Sequence, residues 1–500
     1  LHPPKTATFG ALKAANWRSR SIKAELRENL ISALQAKTPI FPSVLGYEDT
    51  VLPQLKAALL ARHNILLLGL RGQAKTRLAR AMVELLDEWM PAVAHTPLND
   101  DPFRPISYEA RQLLETHGDD TPITWIHRSE RYTEKLATPD VTVADLIGDL
   151  DPIKAANLKL DYSDERVIHF GLIPRANRNI FVLNELPDLQ ARIQVALFNI
   201  LQEGDIQIRG FKLRLTPDIQ FVFTANPEDY TNRGSIVTPL KDRIESQILT
   251  HYPKSLDIAQ RITQQEARLE EEQGKRVHVP SLLKNLVEQV AFEARDSELI
   301  DEKSGVSARL SISAFEQLVA AVELRLLETG EKTGYARIAD LFSILPAITG
   351  KVELVYEGEQ EGPANVAHSL ISQAIRTQFK QLFPDPERYK KRKDESPYLP
   401  VQAWFEEGNT VDILRDARLT DYRAALDAVG GLKAFVQQHT DRLTTEEDYL
   451  MREFVLHGLA ETSQLSKQQL VHGLTFKDML GGLFGNIRMD EDSEEGEDED

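Results

Sequence analysis

Residues 65–76, ILLLGLRGQAKT, place an apolar run, a glycine-bearing turn and a lysine–threonine pair in an order that can hold a chain of phosphates. Ile65–Leu68 reads as a buried strand, and Lys75 and Thr76 open the helical pattern TRLARAMVELLDEW. In a loop of this layout, successive backbone N–H groups wrap the anion, the lysine reaches the β/γ-phosphates and the hydroxyl ligates Mg²⁺. The pattern G-x-x-x-x-G-K-[ST] is met at Gly69, Lys75 and Thr76, with Ala74 where glycine is usual; Arg71, Gly72 and Gln73 complete the turn. Alanine in the left-handed region costs about 1–2 kcal/mol, so an ordinary right-handed φ is expected at Ala74.

Two further apolar runs extend the pattern. Ile180–Leu183 reads as a second buried strand and ends in Asn184-Glu185. In P-loop ATPases a strand beside the phosphate loop ends in an acidic pair, whose first residue holds the magnesium shell and whose second polarises the attacking water. Here the first position is an amide, able to act on the metal only through a bound water, and Glu185 stands where the water-activating carboxylate belongs. A third run, Phe221–Ala225, ends in Asn226, a polar tip suited to orienting that water. A lone buried asparagine is usually a satisfied core amide, and a glutamate after a strand usually opens a helix. Three apolar strands in order, each ending in the matching polar group, read instead as an ATP site.

Composition sets the frame. The chain has 500 residues, enough for about three domains, and 42% of them are hydrophobic without any long uncharged run. It has no cysteine, which excludes disulfides, thiolate metal sites and cysteine nucleophiles. The first 36 residues carry dispersed charge and no secretory pattern, so cytoplasmic residence and no membrane span are expected. Net charge is −18, and Asp490–Asp500 (DEDSEEGEDED) holds nine acidic residues, the composition of a disordered solubilising tail. This balance argues against a general nucleic-acid binder, which needs a positive face for phosphates.

The elements that must position these residues follow from periodicity. Residues 1–40 form an N-terminal arm with one amphipathic helix, about 21–36, whose apolar face is Ile22, Leu26, Leu30 and Leu34. From 41 to 252, strands alternate with helices, which predicts an α/β nucleotide-binding domain, a parallel sheet covered by helices. Ligands of such sheets bind at the carboxyl ends of the strands, where Lys75, Glu185 and Asn226 lie. A helical lid is expected over 253–345, a further mostly helical region over 346–489, and the tail over 490–500. Residues 384–400, PDPERYKKRKDESPYLP, read as an exposed linker or loop.

With their spacing, these motifs resemble those of AAA+ ATPases. FGLIPRANRNIFVLNELPDL (170–189) and LIGDLDPIKA (146–155) are similar to stretches of the ATPase subunit (subunit I) of magnesium chelatase, the second being an inserted element there. The loop ending Gln73-Ala74-Lys75-Thr76 is closer to the related MoxR family, and TANPEDYTNRG (224–234) resembles the sensor-1 stretch of both. The resemblance covers roughly residues 44–345.

It implies a P-loop AAA+ sheet with a helical lid, ATP and Mg²⁺ as cofactors, and a homo-hexameric ring. The implied partner is a von Willebrand A domain protein that acts on an unknown client. Lys241-Asp242-Arg243-Ile244 matches the corner that supplies the arginine finger, so the resemblance implies that Arg243 reaches the γ-phosphate of a neighbouring subunit, with Arg233 the other candidate. Ser307-Ala308-Arg309 matches sensor 2, which gives Arg309 contact with nucleotide in its own subunit. Val44-Leu45-Gly46 matches the segment lining the adenine pocket. Residues 204–218 match the pre-sensor hairpin, with Gly210 near its turn. ATP hydrolysis that remodels a partner or drives metal insertion is the leading expectation, slowed by Asn184. The alternatives are magnesium insertion into a porphyrin, a non-hydrolysing ATP-gated scaffold, and a sigma-factor-type transcription activator, although the GAFTGA loop of that last group is missing from the chain.

Overall fold

Uninterrupted apolar runs of four to six residues suit strands covered on both faces, as in a parallel sheet. The computed structural model describes residues 2–161, 164–208, 214–227, 236–389, 392–470 and 473–479. The chain divides into two compact units, the first ending at Tyr252. In the first, helices α1 (Ile22–Gln35) and α2 (Val51–Ala61) precede strand β1 (Ile65–Leu68), and α3 (Lys75–Ala81) leaves the phosphate loop. There follow β2 (Tyr132–Leu136), β3 (Ile180–Asn184), α4 (Ala191–Glu203), β4 (Gln220–Ala225) and β5 (Ser246–Leu249). Among the described residues these strands form one five-stranded sheet in the order β5-β1-β4-β3-β2, with every pair parallel. The fold is the P-loop parallel sheet covered by helices that the motifs predict.

Alternation along the strands sorts the core into two layers. Ile65, Leu67, Ile180, Val182, Val222 and Ile248 pack under α1, α2 and α3. Leu66, Phe181, Leu183, Phe221 and Phe223 face the other way, toward Ile193 and Leu197 of α4.

Helix α1 starts where Ser21 accepts a hydrogen bond from Ala24 N at 3.2 Å, an N-cap that satisfies an otherwise orphaned donor. Its buried face is Ile22, Leu26 and Leu30; Leu34, expected on that face, is 44% exposed. Glu25, on the same buried side, makes a bidentate pair with Arg131 at 2.7 and 2.7 Å and also accepts Asp87 N at 2.8 Å. Asn29 donates to Leu85 O at 2.9 Å. These bonds explain a second departure. The helix after the loop was expected to run to Trp89, but α3 ends at Ala81, a 3-10 turn covers Met82–Leu85, and Trp89–Val93 pairs as a strand with Ile123–His127. The backbone groups of Leu85 and Asp87 bond to α1 instead of continuing the helix ladder.

The inserted element has Gly148–Leu150 antiparallel to Ile168–Phe170. Gly148 has φ +119°, and a Cβ there would stand 2.4 Å from His169 O. Ile206–Gln207 pairs antiparallel with Arg214–Leu215, as the hairpin reading expects, while its turn around Gly210 lies outside the described residues, as does the acidic run 490–500.

The second unit, from Pro253, contains α5 (Ser281–Asp296), α6 (Arg309–Thr329), α7 (Pro363–Leu382) and α8 (Thr445–Glu461). One apolar cluster runs without a break from Val277 to Phe476. It also includes residues of a three-stranded antiparallel sheet, Val411–Leu414, Gly473–Lys477 and Ser466–Leu470, that the mostly helical reading did not anticipate. Among the described residues of 384–400, Arg388, Arg392, Asp394 and Glu395 are exposed, as the linker-or-loop reading expects, but the segment is anchored at one ring. Tyr398 is fully buried with its ring centroid 4.6 Å from that of Phe435, and its hydroxyl donates to Pro384 O at 2.5 Å. No helix among the described residues is long and apolar enough to cross a membrane.

Candidate active site

The turn after β1 is held from below by polar side chains. Gly69 N donates to Ala225 O at 3.1 Å, tying the loop to the end of β4. A Cβ at Gly69 would fall 2.0 Å from Thr250 Oγ1 and 2.2 Å from Gln73 Oε1, which explains glycine there. Gln73 is buried and accepts from Thr250 Oγ1 at 2.8 Å, and the Tyr47 hydroxyl lies 2.8 Å from both Gln73 O and His251 O. Burial raises the Tyr47 pKa, so this hydroxyl stays a donor. Tyr252 donates to Arg71 O at 2.8 Å.

Gly72 has φ +71°. Ala74 has φ +53° and ψ +22°, so the right-handed conformation expected of it is wrong: the turn into α3 needs a left-handed residue, and alanine adopts it under strain. Glu185 is left-handed as well, at φ +59°. These are two of twelve described non-glycine residues with positive φ, and at each the surroundings hold a backbone that L-residues disfavour.

Lys75 Nζ bonds to Gly69 O, to Leu70 O at 3.0 Å and to Asn226 Oδ1 at 2.8 Å. Asn226 Nδ2 donates in turn to Glu185 Oε2 at 3.4 Å. Residues from three distant segments, 75, 185 and 226, thus meet at the carboxyl ends of β1, β3 and β4. Glu185 N donates to Thr224 Oγ1 at 3.2 Å, and Thr224 Oγ1 donates to Asn184 Oδ1 at 3.0 Å. Thr76 lies in the first turn of α3, half-buried. The donors offered here are a hydroxyl, amides and a carboxylate, hard oxygen groups of the kind that hold Mg²⁺ when phosphates complete its shell. They fit a nucleotide–magnesium pair.

The remaining predicted residues are placed as follows. Leu45 and Gly46 are half-buried beside the buried Val44, Gly46 at φ +81°, and Ser43 O accepts Arg77 Nε at 3.0 Å, which links this segment to α3. Arg243 is not among the residues that meet at Lys75. Its guanidinium donates to Gln202 Oε1 at 3.0 and 2.7 Å and to Pro239 O at 2.6 Å, and sits over the Phe198 ring. Arg309 is the exposed first residue of α6, in the second unit. Arg233 lies outside the described residues.

Sequence reasoning missed Glu134. It stands on edge strand β2, one oxygen 2.5 Å from Asn184 Nδ2 and the other accepting from Arg80 at 3.0 Å and from the Tyr132 hydroxyl at 3.1 Å. Burial and this neighbouring carboxylate raise the Tyr132 pKa, while the hydrogen bond to Glu134 raises that of Arg80. The one available signal was a lone carboxylate in YTEKL, a run too polar to read as a sheet strand.

No protein-family model matches the chain, and no curated protein matches it. Solved structures do. A candidate ATPase from Cytophaga hutchinsonii is 16% identical over 72% of this chain and 97% of its own, with a TM-score of 0.29. The complex of subunits BchI and BchD of magnesium chelatase is 19% identical over 64% of this chain and 99% of the matched one, with a TM-score of 0.32. NtrX from Brucella abortus in complex with ADP is 12% identical over 77% and 71%, with a TM-score of 0.35. At such scores and identities the superpositions add nothing to what the sheet and loop themselves establish.

Proposed function

We propose that the chain is an AAA+ ATPase similar to magnesium chelatase subunit I, which binds ATP with Mg²⁺ at the Lys75 loop and hydrolyses it. The observation that carries this reading is the junction of Lys75, Asn226 and Glu185 at the ends of three parallel strands. Lys75 supplies positive charge at the β/γ-phosphates, releasing its contacts with Gly69 O and Leu70 O to do so. Glu185 takes a proton from a water whose oxygen attacks the γ-phosphorus. The bond from that phosphorus to the β–γ bridging oxygen breaks, giving ADP and phosphate. Asn226 orients both the carboxylate and the water. Mg²⁺, when bound beside Thr76 and the row containing Asn184, supplies charge neutralisation at the phosphate oxygens.

In this reading the subunits form a six-membered ring, and Arg243 leaves Gln202 to stabilise the transferred phosphoryl group in a neighbour's site. Arg309 reports the nucleotide state to the helical region. The cycle does work on a von Willebrand A domain partner, remodelling a client or promoting metal insertion.

Nucleotide binding and phosphate release by wild type, Lys75→Ala and Glu185→Gln test the core of it. Wild type should bind ATP and release phosphate, K75A should lose binding, and E185Q should bind but not turn over. Equal background phosphate release by all three, with ATP still bound by wild type, would favour the non-hydrolysing scaffold.

A further inference from the structure

We propose that Glu134, rather than residue 184, supplies the carboxylate for the divalent cation accompanying the nucleotide, and that residue 184 is an amide because Glu134 is there. The inference rests on the ATP reading above and deepens its metal site.

The first support is a polar row across three strands. Strand β4 lies beside β3, and β3 beside β2, with Val222 opposite Val182 and Glu134 opposite Val182 in register. Val182 and Val222 face α3, and alternation puts Thr224, Asn184 and Glu134 on that same side. The helix covering it carries Thr76 in its first turn.

The second support is the direction of the bonds. The Thr224 hydroxyl donates to Asn184 Oδ1, and the Asn184 amide donates to Glu134 Oε1 at 2.5 Å. Turned over, the amide would set its oxygen against a carboxylate, so only this orientation is stable. An aspartate at 184 would replace this donor with an acceptor and set two carboxylates in contact. Glu134 is therefore the one acidic side chain of this row, bonded directly to the amide at 184.

The third is the tether. Glu134 Oε2 is held by Arg80, which lies four residues beyond Thr76 and hence on the same face of α3, and by Tyr132. The carboxylate is thereby tied to the helix that starts at the phosphate loop. Mg²⁺ and Mn²⁺ favour one or two carboxylates plus phosphate oxygens, and an amide at 184 brings no charge of its own.

Electron paramagnetic resonance of Mn²⁺ bound to the full chain with saturating ADP tests this, together with ADP affinity in excess EDTA. E134Q should weaken Mn²⁺ binding at least tenfold while metal-free ADP affinity stays within twofold of wild type. The double variant E134Q/N184D, which moves the charge back to the neighbouring strand, should recover most of the loss. Mn²⁺ affinity of E134Q within twofold of wild type overturns the proposal. Should E134Q not fold, N184D decides: tighter Mn²⁺ binding than wild type puts the metal carboxylate at 184 and overturns it, and unchanged or weaker binding supports it. A wild type that binds no nucleotide, with or without metal, removes the ATP reading and this inference together. One that binds both but is indifferent to residue 134 removes this inference alone.

Discussion

Replacing Ala74 by glycine should stabilise the protein, the reverse of what that exchange does at an ordinary helical position. Ala74 sits at φ +53° and ψ +22° at the start of α3. An L-residue held there loses about 1–2 kcal/mol to the crowding of Cβ, and glycine removes that loss. Against it, glycine loosens the unfolded chain by roughly 0.5–1 kcal/mol. The net expectation is a gain of about 0.5–1 kcal/mol, or about 1–4 °C for a unit of this size. Ala74→Val should move the other way, because a β-branched side chain fits the left-handed region worse still. Urea unfolding followed by tryptophan fluorescence is a suitable assay, since Trp17, Trp89 and Trp125 all lie in the first unit, and a Trp404→Phe background silences the second. Nucleotide must be absent, because a ligand bound to the native state would mask the difference. If A74G loses stability by the amount usual for a right-handed helix start, the loop conformation described above is wrong.

Three other outcomes are expected. Glu25→Ala leaves the buried Arg131 guanidinium with Arg178 O as its remaining hydrogen-bond acceptor among the described residues, and should cost about 3–5 kcal/mol in chemical denaturation; a loss under 1 kcal/mol would mean the pair is solvated. Arg243→Ala should keep ATP affinity and lose about 10³–10⁵-fold in phosphate release. Mixing it with K75A should restore activity if the arginine acts on a neighbour, and a mixture as inactive as its components would refute a trans role. Burial raises the pKa of Glu288, which accepts from Thr263 at 2.5 Å, so the native state holds its proton more tightly than the unfolded chain. Its contribution to stability is therefore full below the ordinary glutamate value of about 4.3 and is lost as pH rises through the elevated native value. E288Q should flatten the stability profile over that range, and an unchanged profile in equilibrium unfolding would exclude it.

What could be read from the sequence was what burial on both faces writes into it. Ile65–Leu68, Ile180–Leu183 and Phe221–Ala225 are covered above and below, so their runs are apolar but for Thr224, and their polar ends stand out as Lys75, Glu185 and Asn226. Among the described residues edge strand β2 has one flank without a partner strand, and its YTEKL carries no such run, so Glu134 stayed hidden although it touches Asn184. The length of α3 was misjudged because what ends it is not a breaker in its own sequence. Glu25 and Asn29, more than fifty residues upstream, claim the backbone of Asp87 and Leu85. Ala74 was misjudged because a propensity argument weighs one residue, whereas the Gln73, Thr250 and Tyr47 bonds fix the turn around it. Tyr398 shows the same limit in the second unit, since one buried ring among exposed charges leaves no periodic signal.

The clasp between Glu25 and Arg131 has a practical corollary for anyone dissecting this chain. An expression fragment trimmed to begin just ahead of the nucleotide loop, on the logic that an N-terminal arm is dispensable, would amputate the anion that neutralises a guanidinium sealed beneath the sheet. It would also strip the apolar lid formed by Ile22, Leu26 and Leu30 from the layer over β1. The smallest autonomous module of this sheet therefore begins no later than Ser21, well upstream of the residues proposed to meet ATP.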